Sequence, residues 1–278
     1  VSSDKAALGY LAGLLEARTG QQIGPNRLWR VETVLKSLVR ARGLSSLTDL
    51  VTILMGGRDP ALAEAVVTAL LNNETFFFRD AQAFEQLQSG ALEQIRLARA
   101  STRRLSLWSA GCSTGQEAYS LAMIFADAPA RWDGWTIDIT ATDVSEAAIE
   151  RARDGVYSQF EIQRGLPIKA MLTWFDQQGE DWRVKRTLAG RVRFKRHHLL
   201  DQPMSGRFDI VLCRNVLLYF SPEHRRAAFD RIAAAIAPDG FLMLGAGETV
   251  IGQTEAFAAD PSLRGLYRPA GALRRQAA

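Results

Sequence analysis

From Leu105 onward, five short apolar runs (LSLWSA, TIDITATDV, RVRFKRH, FDIVLCRN and GFLMLG) alternate with segments of helical periodicity. This alternation limits the possible folds more than any other feature of the chain. Strands that run parallel need long crossover connections, usually helices, and a sheet covered on both faces shows continuous apolar strands instead of a period of two. Residues 105–278 are therefore expected to form an α/β domain, doubly wound around a parallel sheet.

The region before it has a different pattern. In residues 1–72, Leu8, Leu11, Leu14 and Leu15 recur at helical spacing, as do Val31, Val34, Leu35, Leu38 and Val39, so a small all-helical N-terminal domain is expected. GGRDP at 56–60 should end one helix and let Pro60 open the next, at the position where proline's missing N–H costs nothing. Residues 73–104 read as a linker and junction helix, with helical periodicity from about Ala81 to Ala100. Residues 156–190 break the α/β rhythm: they hold aromatic and β-branched residues, turn signals at Gly179 and Gly190, and no long amphipathic helix. A small antiparallel β insertion is expected there.

Composition mainly excludes. The chain of 278 residues is 47% hydrophobic and 23% charged, which suits an ordinary globular protein, and it has no apolar run of membrane-spanning length. Nothing at VSSDKAALGY reads as a secretory leader. The two cysteines, Cys112 and Cys213, stand far apart in apolar stretches and read as core thiols in a reducing cytoplasm, where the protein is expected to reside. The net charge of +4 is unevenly spread, since residues 151–196 carry eleven Lys or Arg against five Asp or Glu. Arg27, Arg30, Lys36, Arg40 and Arg42 form a second basic run on a helical stretch. Both read as solvated surface or as a face for an acidic partner.

In a doubly wound sheet, ligands bind beyond the carboxyl ends of the strands at the point where the strand order reverses. After the first apolar run, Gly111-Cys112-Ser113-Thr114-Gly115 provides a tight turn into a helix starting near Gln116, whose dipole favours Glu117 in its first turn. Glu117 could also receive a ligand ammonium group. Asp143 ends the second run, where a carboxylate can hold both hydroxyls of a ribose or cap the next helix. The turn lacks the G-x-G-x-x-G spacing of a dinucleotide site, and an acid stands where a phosphate would lie, so a nucleoside carrying an amine or sulfonium fits better. S-adenosylmethionine has both groups. The turn also matches the G-x-S-x-G elbow of serine hydrolases, but no HGGG-like segment precedes it and it follows the first strand, which argues against Ser113 as a nucleophile. No CxxC, HxH or HExxH spacing points to a metal.

Several stretches together resemble the chemotaxis receptor methyltransferases (CheR), which methylate glutamates of chemoreceptors. They are NETFFFRD at 73–80, WSAGCSTGQEAYSLAM, ATDVSEAAIERARDGVY, FDIVLCRNVLLYF and APDGFLMLGAGE, in the family's order between residue 8 and about 269. The resemblance implies a class I methyltransferase (Rossmann-like) sheet, S-adenosylmethionine as methyl donor with S-adenosylhomocysteine as product, and no metal. It also implies that Asn73, Thr75 and Arg79 reach the cofactor, that Gly111, Glu117 and Asp143 bind its amino-acid and ribose portions, and that Asn215 and Val216 line the adenosyl side. Arg79 would hold the cofactor carboxylate or orient the incoming glutamate, and Tyr219 would face the substrate. Phe76, Phe77 and Phe78 read as core.

The chain also departs from the family. His198-Leu199 stands where Asn-Leu is usual after the third strand, Gln116-Glu117-Ala118-Tyr119 replaces Glu-Glu-Pro-Tyr, and Val34 stands in place of a helix arginine. His198 and Leu199 remain candidates for the adenine side. The insertion, with DQQGEDW at its turn, looks shorter than in members that bind a receptor's C-terminal pentapeptide, so no such tether is expected. The expected partner is the acidic helical methylation region of a chemoreceptor, met by the basic N-terminal helix or the insertion, with the enzyme a monomer and no nucleic acid bound. Methylation of RNA or a small molecule, and a non-catalytic cofactor-binding regulator, stay open as alternatives.

Overall fold

The computed structural model describes residues 2–272, with side chains from Lys5 onward; residue 1 and residues 273–278, the ends of the two expected domains, lie outside the described residues. The chain divides into two compact units, one of residues 1–72 with 219–224, the other of residues 73–218 with 225–278.

The first unit holds helices α1 (Ser2–Thr19), α2 (Trp29–Ala41), α3 (Leu47–Met55) and α4 (Pro60–Leu70). In α2 the four-residue spacing of Val31, Leu35 and Val39 places all three on one buried face, while Lys36 and Arg40 stay exposed. Each fully buried side chain of this kind contributes about 1.5–3 kcal/mol. Caps set the helix starts. Ser46 accepts from the Asp49 N–H at α3, and Asp59 accepts from the Leu62 N–H at α4, one residue before Pro60. The unit is not purely helical, because Gln21 forms an isolated antiparallel bridge with Phe220.

The second unit begins with α5 (Ala81–Gln86) and α6 (Leu92–Ala98), joined by a π-helical turn at Leu87–Ala91 where a single helix is expected from periodicity. Its main elements follow in the order β1 (Arg104–Ala110), α7 (Gln116–Ala126), β2 (Thr136–Asp143) and α8 (Glu146–Asp154). The insertion comes next, with β3 (Val156–Ser158), α9 (Gln159–Gln163), α10 (Ile168–Trp174), β4 (Phe175–Gln178), β5 (Asp181–Val184) and α11 (Arg186–Ala189). The chain then returns to β6 (Val192–Arg196), β7 (Phe208–Cys213), α12 (Pro222–Ala235), β8 (Ile236–Leu244), β9 (Phe257–Ala259) and β10 (Leu266–Pro269).

The strand order is β6-β2-β1-β7-β8-β10-β9, with the first five parallel and the last two antiparallel. The five parallel strands are the five apolar runs of the sequence. The two antiparallel edge strands are too short, at three and four residues, to carry a periodic signal. β3, β5 and β4 form the expected separate antiparallel sheet, with its tight turn at Gly179-Glu180 between the paired Gln178 and Asp181. Of three short helices in the insertion that were not anticipated, α9 and α10 pack on that sheet and α11 packs against α7. Both cysteines are buried, and Phe77 is fully enclosed, with its ring edge-on to Tyr157 and Phe175.

Candidate functional site

β1 lies between β2 and β7, so the strand order reverses at β1 and the turns leaving β1 and β7 diverge over a common crevice. The first turn is tied to β2, since the N–H groups of Gly111 and Cys112 both donate to the Thr142 carbonyl. The two turns also touch. A β-carbon on Gly111, whose φ is +76°, would lie 2.3 Å from Cγ2 of Val216, so only glycine allows this approach.

Left-handed backbone is costly for residues with a side chain, about 1–3 kcal/mol each, and concentrates where function over-determines it. The described chain has five such residues, Phe78, Asp80, Arg103, Ser113 and Asn215, and all but Arg103 belong to the segments around this crevice. Each of those four is pinned by another element. The Phe78 N–H donates to Ser120 Oγ at 2.9 Å, and Arg214 donates to Asp80 at 2.7 Å. The Ser113 N–H donates to Asp143 at 2.8 Å while its hydroxyl donates to the Asn73 carbonyl at 2.8 Å. The Asn215 N–H donates to Glu248 at 2.6 Å.

Three carboxylates organise the crevice. Asp143, buried at the end of β2, accepts the Ser113 N–H on one oxygen and the Ser145 N–H on the other, at 2.8 and 2.9 Å. Burial pushes its carboxyl up, and the Ser145 and Ser113 N–H groups pull it part of the way back. Ser145, not Asp143, caps α8, so Asp143 joins the two loops and each oxygen keeps acceptor capacity. Glu117, in the first turn of α7, accepts from Ser109 Oγ at 2.8 Å and from Arg214 at 3.2 Å. Burial raises its pKa as well, opposed by the Arg214 charge. Among the described residues, Glu248 accepts from backbone N–H groups, those of Gly245, Asn215, Val216, Leu217 and Leu218.

Of the residues expected from the sequence, Gly111, Glu117, Asp143, Asn215 and Val216 come together at this reversal point. His198 and Leu199 stand just past β6, beside Asp143, whose carbonyl accepts the His197 N–H. His198 Nδ1 accepts the Leu200 N–H at 3.1 Å. Asn73 and Thr75 line a neighbouring groove of about 550 Å³ with Thr114, Gln116, Arg151 and Arg164. Arg79 is half-buried, donates to the Glu74 carbonyl at 3.1 Å and lies over the Phe76 ring. Phe76 is half-buried between the guanidiniums of Arg79 and Arg164, so the expectation of core packing fits Phe77 better than Phe76. Tyr219 belongs to the helical unit, where its hydroxyl bonds Asn72 and Arg27 covers its ring.

Two residues were not expected. Arg214 has a side chain only 1% exposed, bridges Asp80 and Glu117, and leaves its buried Nε without a partner among the described residues. A cation directly after a fully buried strand, in FDIVLCRN, was the available signal. Glu248 follows the last parallel strand in GAGE, an acid at a strand end like Asp143.

The model of the CheR methyltransferase SAM-binding domain matches residues 73–264. The chain belongs to the CheR methyltransferase family. Among curated relatives, it is 37% identical over 247 residues to a chemotaxis protein methyltransferase of Vibrio parahaemolyticus, covering 87% of this chain and 89% of that one. It is 38% identical over 241 residues to chemotaxis protein methyltransferase 1 of Pseudomonas aeruginosa, with coverages of 85% and 87%. Among solved structures it is similar to the N-methyltransferase NodS of Bradyrhizobium japonicum in complex with S-adenosylhomocysteine, at 19% identity and a TM-score of 0.32, covering 57% of this chain and 61% of that one. The CheR domain thus begins at Asn73, where the second compact unit begins, and takes in the NETFFFRD segment, both turns and all three carboxylates.

Proposed function

We propose that the chain transfers the methyl group of S-adenosylmethionine to glutamate side chains in the methylation region of a chemoreceptor. The observation that carries this reading is the convergence of Glu117, Asp143 and the Asn215 turn where the strand order reverses, inside a CheR SAM-binding domain. The donor groups suit the cofactor. Asp143 keeps capacity for two ribose hydroxyls, and the buried Asn215 Oδ1 lacks a partner and can accept an N–H. Glu117 and Arg214, opposite charges 3.2 Å apart, match the ammonium and carboxylate of an amino-acid portion. Gly111 and Val216 shape the crevice, and His198 and Leu199 serve the adenine side.

S-adenosylmethionine supplies a methyl group on a cationic sulfur, open to attack by a carboxylate oxygen. The chain need not provide a base, because a glutamate ionises near pH 4.3 and is already the nucleophile at neutral pH. Its task is alignment and exclusion of water, and positioning alone can lower such a barrier by about 7–11 kcal/mol in favourable cases. Asn73, Thr75 and Arg79 approach the cofactor from the NETFFFRD segment, where Arg79 holds the cofactor carboxylate or orients the incoming glutamate, and Tyr219 faces the substrate.

The exposed Lys36 and Arg40 of α2 and the basic insertion suit an acidic helical receptor region. With only two residues joining β4 to β5, the hairpin of the insertion is short, which suits an enzyme that works without a receptor pentapeptide tether; the reading is completed by a monomer in the cytoplasm. Among the described residues no helix is long and apolar enough to cross a membrane. The basic insertion also suits RNA, the runner-up substrate. Transfer of labelled methyl to a receptor cytoplasmic fragment, and none to RNA, is the expected result; label on RNA alone, or on neither, would reject the reading. Arg79→Ala and Asp143→Ala should both weaken cofactor binding in calorimetry, and unchanged affinity in both would remove the site assignment. Micromolar binding of a receptor C-terminal pentapeptide would reject the tether-free mode.

A further inference from the structure

The strands β7 and β8 are paired in parallel register up to Cys213 and Leu244, so the chain leaves the sheet at two adjacent points. Beyond Leu244 it makes a tight turn, in which the Glu248 N–H donates to the Gly245 carbonyl at 3.0 Å and the side chain folds back toward the neighbouring turn. There Glu248 Oε2 accepts the Asn215 and Gly245 N–H groups at 2.6 and 2.8 Å. Oε1 accepts the Val216, Leu217 and Leu218 N–H groups at 3.0, 2.8 and 3.3 Å.

We propose that Glu248 is a positioning residue for the cofactor, whose carboxylate holds the Asn215–Leu218 turn in the conformation that receives the ligand. The inference rests on the reading of Asn215 and Val216 as cofactor contacts. The turn needs an outside anchor, because Asn215 sits at φ +60° and its own Oδ1 has no partner among the described residues to hold the side chain. Five donors converging from one backbone can be met only by a group that accepts on both atoms, and among side chains only an ionised carboxylate does so. A glutamine would turn its NH2 toward N–H donors, and an aspartate would stop one methylene short. Glu248 touches neither reacting atoms nor the substrate; its effect reaches the ligand through Asn215 and Val216.

Calorimetry with S-adenosylhomocysteine on the full chain tests this. Glu248→Gln, nearly isosteric, should raise the dissociation constant at least about tenfold, the loss expected when charge-assisted bonds are exchanged for a mismatched amide. The KM for S-adenosylmethionine should rise in parallel, while kcat at saturating cofactor and the KM for a receptor fragment stay within about threefold of wild type. Gly245→Ala probes the same turn independently, because the added carbon would lie 2.8 Å from Asn215 Nδ2 and from Glu248 Oε2. It should give the same signature even if Glu248→Gln folds poorly. A purely structural role would lower the melting temperature with ligand affinity unchanged. Affinity within twofold of wild type in the folded variants overturns the inference alone, whereas a wild type that binds no S-adenosylhomocysteine overturns the cofactor reading and this inference with it.

Discussion

The crevice at the strand reversal and the antiparallel insertion both pair carboxylates with arginines, and they do so in opposite surroundings. In the crevice, Glu117 and Arg214 have side chains 12% and 1% exposed, so their partners replace water. At the insertion, its Glu161 meets Arg151 of α8 and its Arg164 meets Glu74 of the NETFFFRD segment, at 2.7 and 2.8 Å, with side chains 25% to 58% exposed. Similar distances therefore carry different weight. An exposed pair contributes about 0–1 kcal/mol, whereas removing one member of a buried pair strands a charge and costs about 3–5 kcal/mol.

The sharpest way to break this contrast is Arg214→Met, which leaves Glu117 buried beside a neutral side chain. Unfolding by urea should show a loss of about 3–5 kcal/mol, and a loss below 1 kcal/mol would place the two regions on the same footing. Asp143→Ala should raise the dissociation constant for S-adenosylmethionine about a hundredfold, near 3 kcal/mol, read by calorimetry. The same change removes the acceptor of the Ser113 and Ser145 N–H groups, so a modest fall in melting temperature should accompany it.

Acid titration separates buried carboxylates from partly exposed ones in another way. Burial raises the pKa of Glu117 in the folded chain above 4.5, so the folded state holds a proton that the unfolded state releases. That contribution is fully present below pH 4.5 and is lost as pH rises through the folded value. Glu93, held down to about 2 by Arg96, behaves oppositely, and its contribution is lost as pH falls from 4.5 toward 2. The stability difference between wild type and Glu117→Gln should therefore shift toward the variant as pH rises above 4.5; a flat or reversed slope would contradict the buried, raised carboxyl.

Smaller effects complete the series. Ser113→Ala removes one hydrogen bond to the Asn73 carbonyl, about 1 kcal/mol, and should lower activity less than tenfold, where loss of a nucleophile would nearly abolish it. Arg151→Ala should change stability by no more than about 1 kcal/mol.

The sequence revealed the sheet well because β1, β2, β7 and β8 are buried on both faces along most of their length and leave apolar runs, whereas β6, at the sheet edge, alternates buried and exposed residues. β9 and β10 left no such trace, and the helices of the insertion, four to seven residues each, are too short for a 3.6-residue period to register. At the site, Gly111 and Asp143 were legible because turn chemistry and a strand end mark them, and Asn215 was legible only through the family resemblance. Arg214 and Glu248 were not, because their roles depend on partners far away in sequence: Glu117 for one, the Asn215 turn for the other. Local pattern also could not show that Tyr219, four residues past Asn215, packs with Asn72 and Arg27 in the other compact unit.

The most direct test is a crystal structure with S-adenosylhomocysteine bound. The ligand should lie across the Gly111 and Asn215 turns, with its ribose hydroxyls on Asp143 and its amino-acid end at Glu117 and Arg214. A ligand seated only in the groove between Asn73, Arg151 and Arg164, or one that leaves Asp143 untouched, would contradict the account.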